Sequence, residues 1–129
     1  MQNNSYQPNF YLSSAEHRGK WQEVRACRIV NTVCDEASRL YFLVELDPAI
    51  SGQQYGLGDK MISLWLITER LKFDKITPQI SKPIPVLVYS FKDKETINKN
   101  LLALKSNDLI LESWCEIYPN YKSAKRQKI

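Results

Sequence analysis

The sequence is poor in the residues on which most catalytic and metal-binding motifs depend. It contains one histidine, three cysteines and four glycines in 129 residues. An odd number of cysteines excludes a complete disulfide framework and indicates a reducing compartment. The four glycines and six prolines exclude collagen-like and low-complexity material.

Long hydrophobic runs are missing as well. No stretch approaches the ~20 apolar residues that a membrane-spanning helix needs. Residues 1–8 have neither the basic residues nor the apolar stretch of a secretory signal. The apolar fraction of 43% argues against wholesale disorder. We therefore predict a soluble, cytoplasmic protein that has no membrane partner.

Excess positive charge is confined to one end of the chain. The net charge is +4, and residues 120–129 hold four basic residues and no acid, so residues 1–119 are neutral. A charge run of this kind is typical of a solvated chain end. We predict a basic, frayed tail over residues 120–129 and an extended arm over the polar residues 1–19. A single globular domain, residues 20–119, lies between them.

Hydrophobic patterns of period two dominate this domain and predict strands. The clearest alternation is Leu40–Leu46, which we expect to end at Asp47-Pro48 because proline cannot donate to a β-ladder. Residues 61–73 fit either a helix or a strand buried on both faces, and we favour the strand. The other predicted strands cover residues 20–33, 84–91 and 109–118. The first of these changes its apolar phase near Ala26-Cys27, which requires either a bulge or burial on both faces of the strand.

One amphipathic helix is predicted over Asp93–Leu104, because Ile97, Leu101 and Leu104 fall on one helical face. About five strands joined mostly by short links, with this helix before the last strand, predict a mainly β fold. The most economical arrangement is a small, partly open antiparallel barrel. An α+β class is the alternative.

Candidate metal ligands are too dispersed to predict a site. His17, Cys27, Cys34 and Cys115 have the composition of a structural zinc site, but none of them forms the close pair that such sites use. Cys27 and Cys115 lie in apolar strand patterns, where a free thiol packs as a small hydrophobe. We predict no metal site and no cofactor.

The longest glycine-containing loop does not match a phosphate-binding motif. Gly52, Gly56 and Gly58 lack the spacing of either a P-loop or a dinucleotide-binding turn. Loops on small barrels nevertheless carry function. Tyr55, at the centre of this loop, is therefore a candidate contact residue.

An enzyme would have to use Cys34 or a pair of carboxylates. His17 is the only histidine that could act as a base for a Cys34 thiolate, and it lies on a different predicted loop. The pairs Asp35-Glu36 and Glu45-x-Asp47 lie at turns and strand ends, where acidic residues are usually solvated. We name no catalytic residue, and an enzyme is our third hypothesis.

Aromatic residues on the last predicted strand lead to our first hypothesis. Ile110, Trp114 and Tyr118 share one face with acidic residues. The opposite face has the parity of a core and carries Leu109, Leu111, Cys115 and Ile117. Aromatic groups rimmed by charge are typical of protein–protein contacts. We predict a non-catalytic module that binds a protein partner or a second copy of itself through Trp114, Tyr118, Ile110 and Tyr55, unless the predicted helix covers that face.

A single-stranded nucleic-acid-binding barrel is the alternative hypothesis. It requires basic side chains interleaved with exposed aromatic side chains on one face. The candidate contact residues are Arg18, Lys20, Arg25, Arg70 and Lys72. The neutral charge of residues 1–119 argues against this hypothesis, and we expect Trp21 and Trp65 to lie in the core.

Overall fold

The computed structural model describes residues 10–14, 21, 23–51, 61–71, 76–77, 80–91 and 104–126. Within these ranges the chain forms six strands, a 3-10 helix at Ser106–Asp108 and one short α-helix. The elements are β1 (Phe10–Ser13), β2 (Arg25–Cys34), β3 (Leu40–Ser51), β4 (Met61–Glu69), β5 (Ile84–Phe91), β6 (Leu109–Tyr118) and α1 (Tyr121–Arg126). No helix in the described part of the chain has the length and apolar character needed to cross a membrane.

The strands form a closed antiparallel barrel. Each strand pairs with its neighbours in the sequence, and β1 also pairs with β6. The predicted small, mainly β barrel is therefore confirmed, with six strands and no open edge. The additional strand is β1, which comes from the segment that we expected to be an extended arm. This strand closes the barrel because it pairs with both β2 and β6. Its Phe10 and Leu12 side chains are buried in the barrel interior.

The barrel interior holds the larger of two hydrophobic cores. Every second side chain of a strand points inward, as the pleat of a β-strand requires. Trp65 of β4 and Trp21 are both buried in this core, as predicted, and their rings meet edge to face with centroids 4.9 Å apart. Other large side chains that are fully buried in the interior are Phe10, Leu12, Ile50, Ile67 and Ile117.

The second core lies on the outer side of the barrel. Its buried members alternate with interior residues along the strands and are Val33, Tyr41, Leu43, Leu66, Phe91, Leu104 and Leu109. Burial on both faces explains why residues 61–73 lacked a clean alternation, and the favoured strand is confirmed as β4. Of the predicted helix Asp93–Leu104, residues 93–103 lie outside the described residues. Leu104 belongs to this outer core and forms an isolated bridge with Asp35.

Two local irregularities differ from the predictions for β2 and β3. The bulge in β2 lies between Ile29 and Asn31, not at Ala26-Cys27, and Val30 is the extra, exposed residue. Strand β3 does not end at Asp47-Pro48 but continues to Ser51. Pro48 is tolerated because the pairing of β3 with β4 is interrupted between Glu45 and Ile50, where no donor is required from it.

Helix α1 occupies much of the segment that we expected to fray. Asn120 caps the helix, since its side-chain oxygen accepts a hydrogen bond of 2.8 Å from the backbone N–H of Ser123. Ala124 is fully buried, and the Tyr121 ring makes an edge-to-face contact with Tyr11 of β1. The helix packs against β1 and β6. Residues 121–126 therefore differ from the expected frayed tail, because a capped turn and a buried alanine fix them to the barrel.

The turn between β2 and β3 depends on Asp35. Its Oδ1 atom accepts hydrogen bonds from the backbone N–H groups of Ala37 and Arg39, each 2.9 Å long. Ser38 has a φ angle of 64°, in the left-handed region that favours glycine. A short hairpin turn of this kind usually has glycine at the left-handed position. Ser38 is therefore a site of local backbone strain.

We expect the substitution Ser38→Gly to stabilise the protein by roughly 0.5–1 kcal/mol. Removing the Cβ atom relieves the left-handed strain, and the greater freedom of glycine in the unfolded chain offsets part of that gain. Thermal unfolding should show a melting temperature a few degrees above that of the wild type. Ser38→Ala is the matched control, because it keeps the Cβ atom and should give no increase. A lower melting temperature for Ser38→Gly would contradict this interpretation of the turn.

The three cysteines differ in accessibility. Cys27 and Cys115 are buried in the barrel interior, whereas Cys34 is exposed at the end of β2. Burial raises the pKa of the Cys27 thiol well above its ordinary value, and neighbouring Cys115 adds to this shift. Cys27 is therefore protonated and shielded in the folded barrel.

A thiol reagent should consequently modify Cys34 readily and Cys27 and Cys115 only after unfolding. The modification can be counted by mass spectrometry of the native protein and of the protein in denaturant. The variant Cys34→Ser is the control and should take up no reagent in the native state. Rapid modification of this variant would show that the barrel interior opens.

Candidate functional site

The predicted contact residues of β6 do not share one environment. Trp114 is 56% exposed and Ile110 is 42% exposed, but Tyr118 is only 1% exposed. Tyr118 pairs with Tyr11, at the end of the barrel against which α1 packs, and its hydroxyl donates to Glu116. Burial therefore removes Tyr118 from the candidate contact surface, and Trp114 remains on it.

A bulge in β6 brings Leu111 to the same side as Trp114. Val88 pairs with Ser113 and Tyr89 pairs with Leu111, so Glu112 is an extra residue. Before the bulge the odd-numbered side chains lie on the outer side of β6, whereas after it the even-numbered ones do. Leu111 therefore lies on the outer side and is 46% exposed. The predicted core face is consequently correct for Cys115 and Ile117, which are buried in the interior, and wrong for Leu111.

The remaining two residues of β6 are also re-assigned by this bulge. Leu109 is buried, but in the outer core, because it lies on the outer side of the strand. Ile110 pairs with Ser90, which lies on the same face of β5 as the interior residue Val88. Ile110 and Trp114 therefore point to opposite sides of the sheet.

Trp114 is held in place by contacts to its backbone and its ring. Its carbonyl oxygen accepts a hydrogen bond of 3.3 Å from the buried Ser14 hydroxyl. The Arg70 guanidinium lies over the indole ring, 5.5 Å from its centroid. The backbone N–H of Arg70 donates to the Pro85 carbonyl at 3.0 Å, so the Arg70 side chain must cross β5 to reach Trp114 on β6. We call Arg70, Leu87, Leu111 and Trp114 the Trp114 surface.

A cleft opens beside the Trp114 surface, between the β2–β3 turn and the end of β4. Its volume is about 510 Å³. The lining is a mixture of charged, hydroxyl and aliphatic side chains: Ser38, Arg39, Leu40, Thr68, Glu69, Arg70, Leu71 and Ile76. Arg70 belongs to both the cleft and the Trp114 surface, so the two features are continuous.

Arg39 reaches across the cleft towards Arg70. Its Nη2 atom donates to the carbonyl oxygen of Glu69, the residue before Arg70, at 3.4 Å. The Arg39 guanidinium also lies over the Tyr41 ring, 5.9 Å from its centroid. The cleft is therefore bordered by two exposed guanidinium groups, each of which contacts an aromatic ring.

Acidic side chains near these arginines are engaged by other groups. The Glu69 carboxylate accepts a hydrogen bond of 2.7 Å from the backbone N–H of Ile76. On the Trp114 side of β6, Glu116 accepts from the Tyr118 hydroxyl, whereas Glu112 accepts from the Ser90 hydroxyl on the opposite side of the sheet. The site therefore has cations that face the cleft and carboxylates that are oriented by local hydrogen bonds.

Two of the residues predicted for nucleic-acid binding, Arg25 and Arg70, are among the described residues, and of these two Arg70 lies at this site. Arg25 is 3% exposed, and its side chain donates to the Pro48 and Ala49 carbonyl groups at the end of the barrel. Burial removes it from any contact surface. Arg18, Lys20 and Lys72 lie outside the described residues, as does Tyr55.

The candidate catalytic groups do not form a catalytic arrangement in the described ranges. Cys34 is exposed, but the Asp35 carboxylate beside it is used to hold the turn. Glu45 forms an ion pair of 2.6 Å with Arg28. His17 lies outside the described residues, and among those described no group of three or more His, Cys, Asp or Glu residues could hold a metal ion.

Sequence reasoning missed Arg39 and the cleft. Arg39 directly follows the predicted turn, but its approach to Arg70 depends on the register of β3 with β4. That register pairs Phe42 with Ile67 and cannot be read from hydrophobic periodicity.

Comparisons of this chain with protein-family models, curated proteins and solved structures find no match.

The geometry of Asp35 leads to a prediction for Tyr41. The Tyr41 hydroxyl donates to Asp35 Oδ2 at 3.2 Å. Burial, together with the negative charge and hydrogen bond of Asp35, raises the pKa of Tyr41 from 10.0 to about 12. Because the folded-state pKa is raised, the associated stability is complete below pH 10 and is lost as the pH rises through 12.

We expect Asp35→Asn to lower the pKa of Tyr41, because the amide keeps the Oδ1 acceptor of the turn but removes the charge and the second acceptor. Burial remains, so the pKa should stay above its ordinary value. Tyrosinate absorbance measured against pH reports the titration, and Tyr41→Phe identifies the contribution of Tyr41 among the seven tyrosines. An unchanged titration in Asp35→Asn would show that Asp35 does not influence the Tyr41 hydroxyl.

Proposed function

We propose that this chain is a non-catalytic protein-binding module whose contact surface is the Trp114 surface. The observation that carries the proposal is the exposure of Trp114, which is 56% accessible although it lies within a strand of a closed barrel. Tryptophan and arginine are among the residue types most enriched in the residues that contribute most of the binding energy at interfaces. The Trp114 surface contains one of each, Trp114 and Arg70.

The apolar area around Trp114 supports this proposal. Leu111 is exposed on the same side, and Leu87, the pairing partner of Trp114, is half-buried. Leu71 extends the exposed apolar area into the cleft. A partner that covers these side chains would remove them from water, which is the main favourable contribution to association.

The pre-organisation of Trp114 supports it further. The Ser14 hydroxyl fixes the strand at Trp114, and Arg70 restricts the ring. A side chain that is already ordered loses less conformational entropy when a partner binds. Trp114 therefore has the properties of an anchor residue.

Single-stranded nucleic acid is the second candidate partner, because Arg70 lies on the exposed Trp114 ring and Arg39 is close by. Bases stack on exposed aromatic rings while cations contact the phosphates. Against it, Glu69 lines the cleft, and Glu116 lies two residues from Trp114 on the same side of β6. These carboxylates oppose a continuous polyanion, so we place the protein partner first.

We expect Trp114→Ala to weaken partner binding by about 2 kcal/mol, or roughly thirtyfold, since an anchor of this size and position is typical of a binding hot spot. The free energy of unfolding should fall by only about 1 kcal/mol or less, because the side chain is largely exposed. Quantitative affinity capture from nuclease-treated native lysate measures the first effect and thermal unfolding the second. Sedimentation of the purified protein shows whether the partner is a second copy.

Val30→Ala is the matched control, because Val30 is also exposed and lies on β2, across the closed barrel from β5. It should bind its partner as the wild type does. Equal binding by wild type and Trp114→Ala would reject the proposal. Capture that disappears on nuclease treatment, with binding of labelled single-stranded oligonucleotides that weakens steeply with salt, would favour the second candidate.

A further inference from the structure

We infer that the cleft bordered by Arg39 and Arg70 binds acidic side chains of the partner, so that the partner presents a segment in which carboxylates stand beside an apolar residue. This inference rests on the proposed function and specifies the chemistry of the partner. The apolar residue would contact the Trp114 surface, and the carboxylates would contact the two guanidinium groups. The continuity of the two features through Arg70 places both contacts within one short segment.

The charge of the cleft is the first argument. Within the described ranges, neither Arg39 nor Arg70 forms an ion pair; their contacts are with two aromatic rings and with the Glu69 carbonyl oxygen. Two described carboxylates on the segments that border the cleft have other hydrogen-bond donors: Asp35 accepts from the turn and from Tyr41, and Glu69 accepts from Ile76. The guanidinium groups therefore present donors that the described carboxylates do not neutralise.

The geometry of the donors is the second argument. A guanidinium group presents its N–H donors as a planar fork that fits a carboxylate or a phosphate in two parallel hydrogen bonds. Stacking on an aromatic ring leaves the edge of the guanidinium, with its N–H groups, free to donate in the plane. The Arg39 and Arg70 guanidinium groups lie 5.9 Å and 5.5 Å from the centroids of the Tyr41 and Trp114 rings, so each fork lies beside an aromatic ring.

The size and lining of the cleft are the third argument. A volume of about 510 Å³ lies within the range of ~300–1,000 Å³ that is common for ligand pockets. The exposed aliphatic side chains of Leu40 and Leu71 border it together with the arginines. A lining of this kind fits a peptide in which acidic and apolar residues alternate better than it fits an isolated inorganic anion.

Carboxylate and phosphate share this recognition geometry, and the surrounding charges favour the carboxylate. A nucleic-acid strand carries a phosphate on every nucleotide and would bring several of them close to Glu69 and to Glu116, which lies on the Trp114 side of β6. A peptide can place single carboxylates at the arginines and neutral residues beside the acids. An acidic protein segment is therefore the ligand that the local charge pattern fits.

A phage-displayed library of random peptides, selected on the purified full-length protein, tests the inference. Parallel selections use the wild type, Trp114→Ala, the double variant Arg39→Gln/Arg70→Gln, and the control Lys122→Gln/Lys125→Gln. The control removes the same charge from exposed positions of α1 that do not line the cleft. Thermal unfolding of each variant establishes that it is folded before the selections are compared.

We expect the wild type and the control to enrich peptides in which Asp or Glu flanks an apolar residue, and the double arginine variant to lose the preference for Asp and Glu. Replacing one acidic residue of a selected peptide by its amide should weaken binding to the wild type by roughly tenfold, and binding to the double variant much less. Arg39→Lys/Arg70→Lys should keep the acidic preference with lower affinity, because the charge remains but the fork does not.

The outcomes separate this inference from the proposed function. Peptides that require Trp114 but show no acidic preference, or keep it in Arg39→Gln/Arg70→Gln, would overturn the inference and leave the protein-binding proposal intact. If the wild type enriched no peptide more strongly than Trp114→Ala does, both the inference and the protein-binding proposal would be overturned. Salt-sensitive binding of a single-stranded oligonucleotide that is lost in Arg39→Gln/Arg70→Gln, without acidic peptides, would assign the cleft to phosphate groups instead.

Discussion

The pairing of β1 with β6 is the contact on which the rest of the barrel depends. β1 has only four residues, yet it pairs with β6 on one edge and with β2 on the other. Without it, both neighbours would expose rows of unpaired backbone N–H and C=O groups, and the interior would lose the buried Phe10 and Leu12 side chains. The candidate site depends on the same pairing, since the hydroxyl of Ser14, the residue after β1, donates to the Trp114 carbonyl.

The candidate site results from three features that belong to different parts of the chain. The bulge at Glu112 turns Leu111 to the side of Trp114, and the end of β4 supplies Arg70. The Asp35 turn fixes the position of Arg39 at the start of β3. The Trp114 surface is built on the outside of the sheet, and the adjoining cleft is also lined by Ile76, which belongs to the interior core.

Hydrophobic periodicity predicted the strands and the barrel because interior side chains recur at every second position. The size of the aromatic side chains placed Trp21 and Trp65 in the core, and this placement is confirmed. Periodicity has limits, however. It assigned Leu111 to the core, and this assignment is wrong. The extra residue of a bulge moves the following side chains to the opposite face, and the hydrophobic pattern does not reveal where that residue lies. Periodicity also missed β1, which is too short to show a period, and the approach of Arg39 to Arg70, which is a consequence of strand register.

The order of strands around the barrel has a consequence for how the chain folds during synthesis. Every pairing except that of β1 with β6 joins strands that are adjacent in the sequence, so hairpins can form as each strand leaves the ribosome. The closing ladder is different, because it joins the first and the last of the six described strands. Until β6 emerges, the nascent sheet has an exposed edge on β5 and an interior open to water, which is the state most exposed to association with other chains. The barrel interior therefore stays open to water until β6 is available to pair with β1.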